Sequence, residues 1–244
     1  MRPEILIFPQ AVQLNKVLTQ SWFEIARRSI QARGRFTVAL CGGTTPKAFY
    51  RYIAKQGNNP LWQHSHVFVT DERFVGMSHQ ENNGKMIRES LLKNAKIPRD
   101  NIHFVNTDME TVQSSARGYE SELKRFFRFK NGSLPKFDLI LLGIGEDGHT
   151  ASLFPSVPMA RRALKRCIVY CLNPAKTQWR ISLSLPAINR ARNVFFLVTG
   201  TKKASVIKKV FCDKHCRLPA ALVDPKRGQV KVFLDVPAAY LLNL

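Results

Sequence analysis

The chain has 244 residues, of which 45% are hydrophobic and 23% charged, and this composition is typical of a folded globular protein rather than a disordered one. No apolar run reaches the roughly 18 residues that a membrane-spanning helix needs, and the N-terminal segment lacks a signal-peptide pattern, so we expect a cytoplasmic protein. The 38 Lys and Arg residues outnumber the 17 Asp and Glu residues and give a net charge of +21, which raises the question of an anionic partner.

The basic residues do not form a recognised nucleic-acid-binding motif. They are most concentrated in three groups: Arg161, Arg162, Lys165 and Arg166; Lys202, Lys203, Lys208 and Lys209; and Lys124, Arg125, Arg128 and Lys130. No zinc-finger, RNA-recognition or basic-zipper pattern accompanies them. We therefore expect no nucleic-acid partner and no membrane partner, although a nucleic-acid-binding protein stays open as an alternative that steep salt dependence of binding would reveal.

The cysteines do not predict a metal site. The chain has five of them, an odd number that argues against a secreted disulfide framework: Cys41, Cys167, Cys171, Cys212 and Cys216. Both Cys-x3-Cys pairs, one of which encloses His215, lack the spacing of a zinc site. We expect no metal and no cofactor.

The first half of the chain alternates predicted strands and helices. A short apolar run predicts a strand at Glu4–Phe8, and apolar residues at steps of three and four predict a helix over 10–33 that Gly34 ends. A strand at 35–41 precedes a helix that begins near Pro46 and continues to about residue 55. The next strand covers 66–70, and Asn82 or Asn83 could cap the helix after it.

The second half continues the alternation. Strands are predicted at 102–105, 137–142, 168–172, 181–185, 193–199 and 230–234. Helices are predicted around the apolar face of Ala116, Tyr119, Leu123 and Phe126, and over 202–212. The pattern predicts an α/β fold in one domain over 1–244, with a mostly parallel, Rossmann-like central sheet covered by helices on both faces.

Ligands of such sheets gather at the carboxyl ends of the strands. Polar loops follow Leu40, Val69, Leu142 and Val198, so these four loops are the candidates for chemistry.

The loop after Leu40 suits a phosphate. Gly42 and Gly43 allow close backbone approach, and Thr44 and Thr45 supply hydroxyls beside the free N–H groups of a helix start. The segment is neither a Walker A motif nor a GxGxxG fingerprint. A tight turn with a helix cap explains the residues equally well.

The loop after Leu142, GIGEDGHTASLFP over 143–155, carries more polar groups than a turn requires. His149 can accept a proton near neutral pH, and either Glu146 or Asp147 could orient its ring. A lone loop histidine is more often structural, but the glycines that follow a buried strand favour catalysis here. No nucleophile elbow and no Cys–His pair is evident, which argues against a covalent hydrolase.

Several segments together resemble the 6-phosphogluconolactonase family. The resemblance is carried, in the family's order and over nearly the whole chain, by LCGGTTPKAFY (40–50), TDERFV (70–75) with Asn83, FDLILLGIGEDGHTASLFP (137–155), RISLSLPAINRARNVFFLVTGTKKA (180–204), LPAALV (218–223) and VFLD (232–235). It implies a fold of the NagB/RpiA type and the hydrolysis of 6-phospho-D-glucono-1,5-lactone in the oxidative branch of the pentose phosphate pathway. Phe74 and Gly76 stand where the family often has Trp and Pro.

Glucosamine-6-phosphate deaminase/isomerases are the related alternative. In that branch the histidine precedes an IAFNEP-like run that contains a glutamate. Here His149 is followed by TASLFP, so the lactonase is favoured.

The resemblance also implies roles for individual residues. His149 would be the general base that activates water, without a metal or a covalent intermediate, and activity should fall when the ring is protonated. Asp71 would position sugar or water, Arg73 would support that loop, and N–H groups between Gly145 and Gly148 could stabilise the oxyanion. The set expected to bind the rest of the substrate, chiefly its phosphate, is Gly42, Gly43, Thr44, Thr45, Gly145, Asp147, Gly148, Arg180 and Lys203. Monomer and small homo-oligomer are both left open.

Overall fold

The computed structural model describes residues 3–130, 133–157 and 166–242. Its strands are β1 (Glu4–Phe8), β2 (Phe36–Leu40), β3 (Ser65–Val69), β4 (Asp71–Arg73), β5 (Ile102–His103), β6 (Leu139–Leu142), β7 (Ile168–Leu172), β8 (Trp179–Leu183), β9 (Asn193–Val198) and β10 (Gln229–Asp235). Three of the four residues of the first basic group, Arg161, Arg162 and Lys165, lie outside the described residues.

Most of the helices lie between these strands, and the last one follows β10. They are α1 (Ala11–Arg33), α2 (Thr44–Ala54), α3 (Asn83–Ile87), α4 (Val112–Phe127), α5 (Leu185–Ile188), α6 (Ala204–Cys212) and α7 (Val236–Ala239). A π-helical turn at Arg88–Leu92 continues α3, and 3-10 turns occupy Pro60–His64, Arg99–Asn101, Thr201–Lys203 and Pro219–Leu222. No helix in the described part of the chain is long and apolar enough to cross a membrane.

A seven-stranded parallel sheet forms the centre of the molecule, in the order β1-β10-β9-β6-β2-β3-β5. The middle strands β2 and β6 are buried along their whole length because helices cover the sheet, which explains their unbroken apolar sequences. The predicted fold class is confirmed. The end of α1 is also as predicted, since Gly34 adopts φ 73° and its N–H donates to the Ile30 carbonyl.

A second sheet of three antiparallel strands, β4-β8-β7, lies beside the carboxyl edge of the first. The sequence predicted Asp71–Arg73 only as the polar end of a strand, and the structure instead makes these residues a short strand paired with β8. The strand predicted at 181–185 begins earlier, at Trp179, and ends at Leu183, where Ser184 caps α5 with its side chain. Pairing with a distant partner decides the first difference and leaves no local pattern, whereas the local cap at Ser184 sets the end of β8.

Candidate active site

A cleft of about 240 Å³ opens at the carboxyl edge of the parallel sheet, where the four predicted loops meet. The lining side chains and backbone include nine of the predicted site residues: Gly42, Gly43, Thr44, Thr45, Asp71, Arg73, Gly145, His149 and Lys203. The other three, Asp147, Gly148 and Arg180, do not line it. The parallel arrangement causes this convergence, because every β-strand of the central sheet ends on the same side.

The first turn of α2 forms one wall of the cleft. Gly43 precedes the helix with φ 112°, a conformation that favours glycine, and no side chain of the described residues caps this end. The third residue of the helix, Pro46, has no N–H, so the groups left free are those of Thr44 and Thr45. Lys203 lines the same cleft. A positive helix terminus beside a lysine suits a phosphate group.

Asp71 is held in one orientation by two hydroxyl groups. The Thr70 hydroxyl donates to Oδ1 at 2.9 Å, and the Ser152 hydroxyl donates to Oδ2 at 2.7 Å. Ser152 is itself fully enclosed, and its N–H donates to the Ser182 hydroxyl. The loop after β6 therefore fixes the carboxylate that follows β3.

Glu72 connects β4 to the start of α3. Its side chain is 0% exposed and accepts the backbone N–H groups of Arg73, Asn83 and Gly84 at 2.7–2.8 Å. Burial raises the pKa of Glu72 to about 7, although these three donors act in the opposite direction. Through this contact Glu72 places Asn83, whose amide donates to the Asp71 carbonyl and whose side chain borders the cleft.

Two arginines face each other across β4 and β8. Arg73 and Arg180 are register partners, so their side chains project to the same side of the small sheet. Burial first, and the Arg73 charge second, hold the pKa of Arg180 below its usual range. Arg73 lines the cleft and donates to the Glu81 carbonyl, while Arg180 is not among the lining residues. Adjacent like charges favour an anion nearby.

His149 is oriented by Asp147, which settles the choice between the neighbouring acids. The distance between Nδ1 and the Asp147 Oδ1 is 2.6 Å, and the same oxygen accepts the His149 backbone N–H at 3.1 Å. Burial alone would raise the pKa of Asp147, but these His149 groups lower it. The carboxylate keeps the proton on Nδ1 and leaves Nε2 as the acceptor. The side chain of His149 is 34% exposed, so water can reach it.

Two positions that line the cleft require glycine because a side chain there would collide with a neighbouring residue. A Cβ at Gly145 would lie 2.1 Å from the His149 ring, and one at Gly42 would lie 2.0 Å from Asn83 Oδ1. The Gly145 N–H donates to the His149 carbonyl and the Gly148 N–H to the Gly145 carbonyl. These two N–H groups are therefore engaged in closing the loop, and the expectation that N–H groups between Gly145 and Gly148 stabilise an oxyanion stays a prediction for those of Glu146 and Asp147.

Two contributors to the site were missed in the sequence. Thr199, directly after β9, borders the cleft, and its hydroxyl lies 2.7 Å from that of Thr45. Ser152 was seen only as part of a motif. The position of Thr199 at the carboxyl end of a central strand was the available signal for the first. Nothing local indicates that Ser152 contacts a carboxylate 81 residues away.

Residues 9–232 match the model of the family described as "Glucosamine-6-phosphate isomerases/6-phosphogluconolactonase". A 6-phosphogluconolactonase of Synechocystis sp. is 40% identical over 213 residues, which are 86% of each chain. The human 6-phosphogluconolactonase is 35% identical over 98% of this chain and 94% of its own. The solved structure of 6-phosphogluconolactonase from Trypanosoma brucei superposes with a TM-score of 0.86 at 29% identity, covering 99% of each chain.

Proposed function

The chain belongs to the glucosamine-6-phosphate isomerase/6-phosphogluconolactonase family, and from that premise we propose that it is the enzyme that hydrolyses 6-phospho-D-glucono-1,5-lactone to 6-phospho-D-gluconate. The observation that carries the mechanism is the Asp147–His149 pair at the cleft, which leaves one ring nitrogen free to accept a proton. The lactonase branch is favoured over the deaminase branch because Thr150, Ala151 and Ser152 follow His149, with no glutamate.

His149 acts as the general base. Its Nε2 takes a proton from water while the water oxygen bonds to the lactone carbonyl carbon, and Asp147 stabilises the charged ring. The tetrahedral intermediate then collapses, the bond between that carbon and the ring oxygen breaks, and the ring oxygen leaves with the proton from His149. The acid that forms releases a proton to solvent. A lactone is an activated ester, so this sequence needs no covalent enzyme intermediate.

Asp71 and Arg73 act on the reacting end of the substrate. Asp71 is fixed by Thr70 and Ser152 and accepts a hydrogen bond from a sugar hydroxyl or from the attacking water. Arg73 lines the cleft beside it. Its guanidinium stabilises the negative charge that develops on the carbonyl oxygen, since the N–H groups of Gly145 and Gly148 are engaged in other hydrogen bonds.

The phosphate of the substrate lies at the first turn of α2. Gly43, Thr44 and Thr45 offer N–H groups and hydroxyls there, and Lys203 adds a charge-assisted hydrogen bond. Arg180, the register partner of Arg73, strengthens the positive potential beside the cleft. This division of the cleft separates substrate binding from the proton transfer at His149.

The test is the formation of 6-phosphogluconate from freshly generated lactone by the wild type and by His149→Ala, with the spontaneous rate subtracted. We expect kcat to fall by about 10²-fold to 10⁴-fold, the usual contribution of a general base, with an unchanged circular dichroism spectrum. Full activity in a folded His149→Ala protein would move the base elsewhere. Release of ammonia from glucosamine 6-phosphate by the wild type, without lactone hydrolysis, would replace the proposal by the deaminase.

Asp147→Asn separates orientation from proton transfer. The amide preserves the shape of the side chain but can present its NH₂ to Nδ1, which would place the ring proton on Nε2. We expect kcat to fall by about tenfold to 10³-fold while KM changes little. Glu146→Gln, one residue earlier, is the matched control and should retain wild-type kcat. Equal losses in the two variants would contradict the role of Asp147.

A further inference from the structure

A basic cluster lies at the amino edge of the parallel sheet, on the side of the molecule opposite the cleft. Its members are the last residue of α1 and residues of the segments just before β6, β9 and β10: Arg33, Lys136, Arg190, Arg192 and Arg227. The substrate site uses none of these residues. They also belong to none of the three groups that the sequence emphasised, because they come together only when the parallel strands start side by side.

The segments that carry the cluster are tied together by backbone hydrogen bonds. The Arg192 N–H donates to the Phe137 carbonyl, and the Arg192 carbonyl accepts the N–H of Gln229. A Cβ at Gly228 would lie 2.5 Å from the Ala191 carbonyl, so this glycine is needed for the close approach. The backbone segments that carry the cations are consequently held next to one another.

One buried carboxylate accounts for only part of this positive charge. Asp138 accepts Arg33 at 2.8 Å, lies 3.3 Å from the Arg192 Nε, and also accepts the N–H and hydroxyl of Thr37. Within the described part of the chain, no carboxylate lies within 4 Å of the charged groups of Lys136, Arg190 or Arg227. Among the residues that the structure describes, these three cations of the cluster therefore have no carboxylate partner.

The neighbouring positive charges affect the protonation of Lys136. Burial first, and then the charges of Arg192, Arg190, Arg227 and Arg33, hold its pKa below the usual range of lysine. Such like-charge repulsion costs stability and is relieved when an anion binds.

A groove of about 760 Å³ runs beside the cluster, between α1 and the first residues of β9 and β10. The charged residues along it include Arg28, Arg33, Arg192, Arg227 and Lys231, with Glu24 as their acidic neighbour. Arg28 is paired with Glu24 and Lys231 with Glu4. Arg33 and Arg192 share Asp138, so among the described residues along the groove Arg227 is the cation without a carboxylate partner. The aromatic ring in the lining, Phe195, is buried, so the groove offers charge and no exposed stacking surface.

We propose that the amino-edge basic cluster is a second anion site, which binds a chain of linked phosphate groups through Lys136, Arg190, Arg192 and Arg227. Several guanidinium and ammonium groups at one edge of a groove match a ligand with several adjacent negative charges better than a single phosphate. The lack of an exposed ring means that phosphates, and not bases, are recognised. The linked phosphates come from a free polyphosphate or nucleotide, or from a nucleic-acid backbone.

The experiment measures binding of inorganic tripolyphosphate by calorimetry and by the rise in unfolding temperature. Orthophosphate, which has a single phosphate group, is the comparison ligand. The variant is Lys136→Gln/Arg227→Gln, and the matched control Lys208→Gln/Lys209→Gln removes two exposed charges from α6. We expect the tripolyphosphate affinity to fall about tenfold or more in the first and less than twofold in the second. Lactone hydrolysis should be unchanged in both, because neither pair lies in the cleft.

Equal losses in the two variants would overturn the site, since binding would then follow net charge alone. Unchanged affinity in Lys136→Gln/Arg227→Gln, or no tripolyphosphate binding by the wild type, would also overturn it. If the half-buried Lys136 is needed for folding, Arg190→Gln/Arg227→Gln tests the same cluster with two exposed residues. If a single-stranded oligonucleotide binds more tightly than tripolyphosphate, and its binding is lost in the same variant, the natural ligand of the site is a nucleic acid. If the oligonucleotide binds more weakly, the natural ligand is a small polyphosphate or nucleotide.

Discussion

At the scale of single residues, the site depends on side chains that hold other side chains. Asp147 keeps the His149 ring in one tautomer, and Ser152 with Thr70 keeps the Asp71 carboxylate in one rotamer. Ala151, between these two systems, has φ 48°, an uncommon conformation for a residue with a Cβ. The surrounding contacts stabilise this backbone, because Thr150 donates to the Gly143 carbonyl and Ser152 is enclosed.

Ser152→Ala tests the positioning of Asp71. Loss of the 2.7 Å hydrogen bond frees the carboxylate to rotate, so we expect kcat to fall about tenfold with a smaller change in KM. Stability should fall by about 1 kcal/mol, the net value of a buried hydrogen bond. Kinetics and urea unfolding measure the two effects.

The matched control for this prediction is Ser90→Ala. Ser90 is equally buried and donates to the Met86 carbonyl, away from the cleft. This variant should lose a similar stability and keep wild-type kcat. A kcat for Ser152→Ala equal to that of the control would remove Ser152 from the catalytic arrangement, and Ser152→Thr, which keeps a hydroxyl, should recover part of the activity.

At the scale of elements, β4 connects the parallel sheet to the antiparallel sheet and contributes residues to the cleft. Its three residues have two destinations: Asp71 and Arg73 face the cleft, and Glu72 turns inward to the N-terminus of α3. A carboxylate at a helix N-terminus satisfies free N–H groups and interacts favourably with the helix dipole. Glu72 thereby fixes the angle between β4 and α3, and with it the position of Asn83.

Glu72→Gln should lower the free energy of unfolding by about 1–3 kcal/mol at pH 8, above the pKa of about 7 that burial gives this carboxyl. The amide can accept two of the three N–H groups through its oxygen, but its NH₂ then faces the N–H of Gly84. Urea unfolding measures the loss. The exposed Glu89→Gln, in the π-helical turn that follows, is the control and should change stability by less than about 0.5 kcal/mol. A Glu72→Gln protein as stable as this control would contradict the role assigned to Glu72.

At the scale of the whole molecule, the two edges of the parallel sheet differ in their charged residues. The carboxyl edge combines carboxylates, histidine and cations in the cleft, whereas the amino edge carries cations in excess of their one buried partner, Asp138. A histidine pair at the β3–β5 side adds a third electrostatic feature. His66 Nδ1 lies 3.2 Å from His103 Nε2, and His103 contacts Glu122 at 2.7 Å.

This pair predicts a loss of stability in mild acid. Burial first, then the charges of His103, Arg35 and His64, lower the pKa of His66 from 6.5 to about 4, and burial also lowers that of His103 despite Glu122. At these two histidines the unfolded chain therefore binds more protons than the folded one between about pH 6.5 and 4, so their contribution to the free energy of unfolding should fall as the pH falls through this window. The raised pKa of Glu72 acts in the opposite direction, so the effect is read from the variant and not from the wild type alone.

Urea unfolding at pH 7.0 and 5.0 checks the direction, with His66→Gln as the variant and the exposed His215→Gln as its control. The difference in stability between the two pH values should shrink in His66→Gln and persist in His215→Gln. A pH dependence that is the same in both variants would show that other groups, and not His66, cause the loss.

The sequence by itself determined the elements and the edge at which the site lies. The spacing of apolar residues along the chain indicates which residues are buried and whether the segment is a helix or a strand. The bounds of β1, α1, β2 and β9 could therefore be predicted to within one or two residues. The alternation of strands and helices implied a parallel sheet, and a parallel sheet brings the loops after Leu40, Val69, Leu142 and Val198 to one edge. The family resemblance rested on the same loops.

Only the tertiary structure decided which side chains meet. It paired β4 with β8, chose Asp147 over Glu146 as the partner of His149, brought Ser152 to Asp71, and engaged the N–H groups of Gly145 and Gly148 within the loop. It also assembled the amino-edge cluster from five separate positions. The physical reason is that local sequence fixes burial and backbone conformation, whereas contacts between distant residues depend on how packed elements close the space between them.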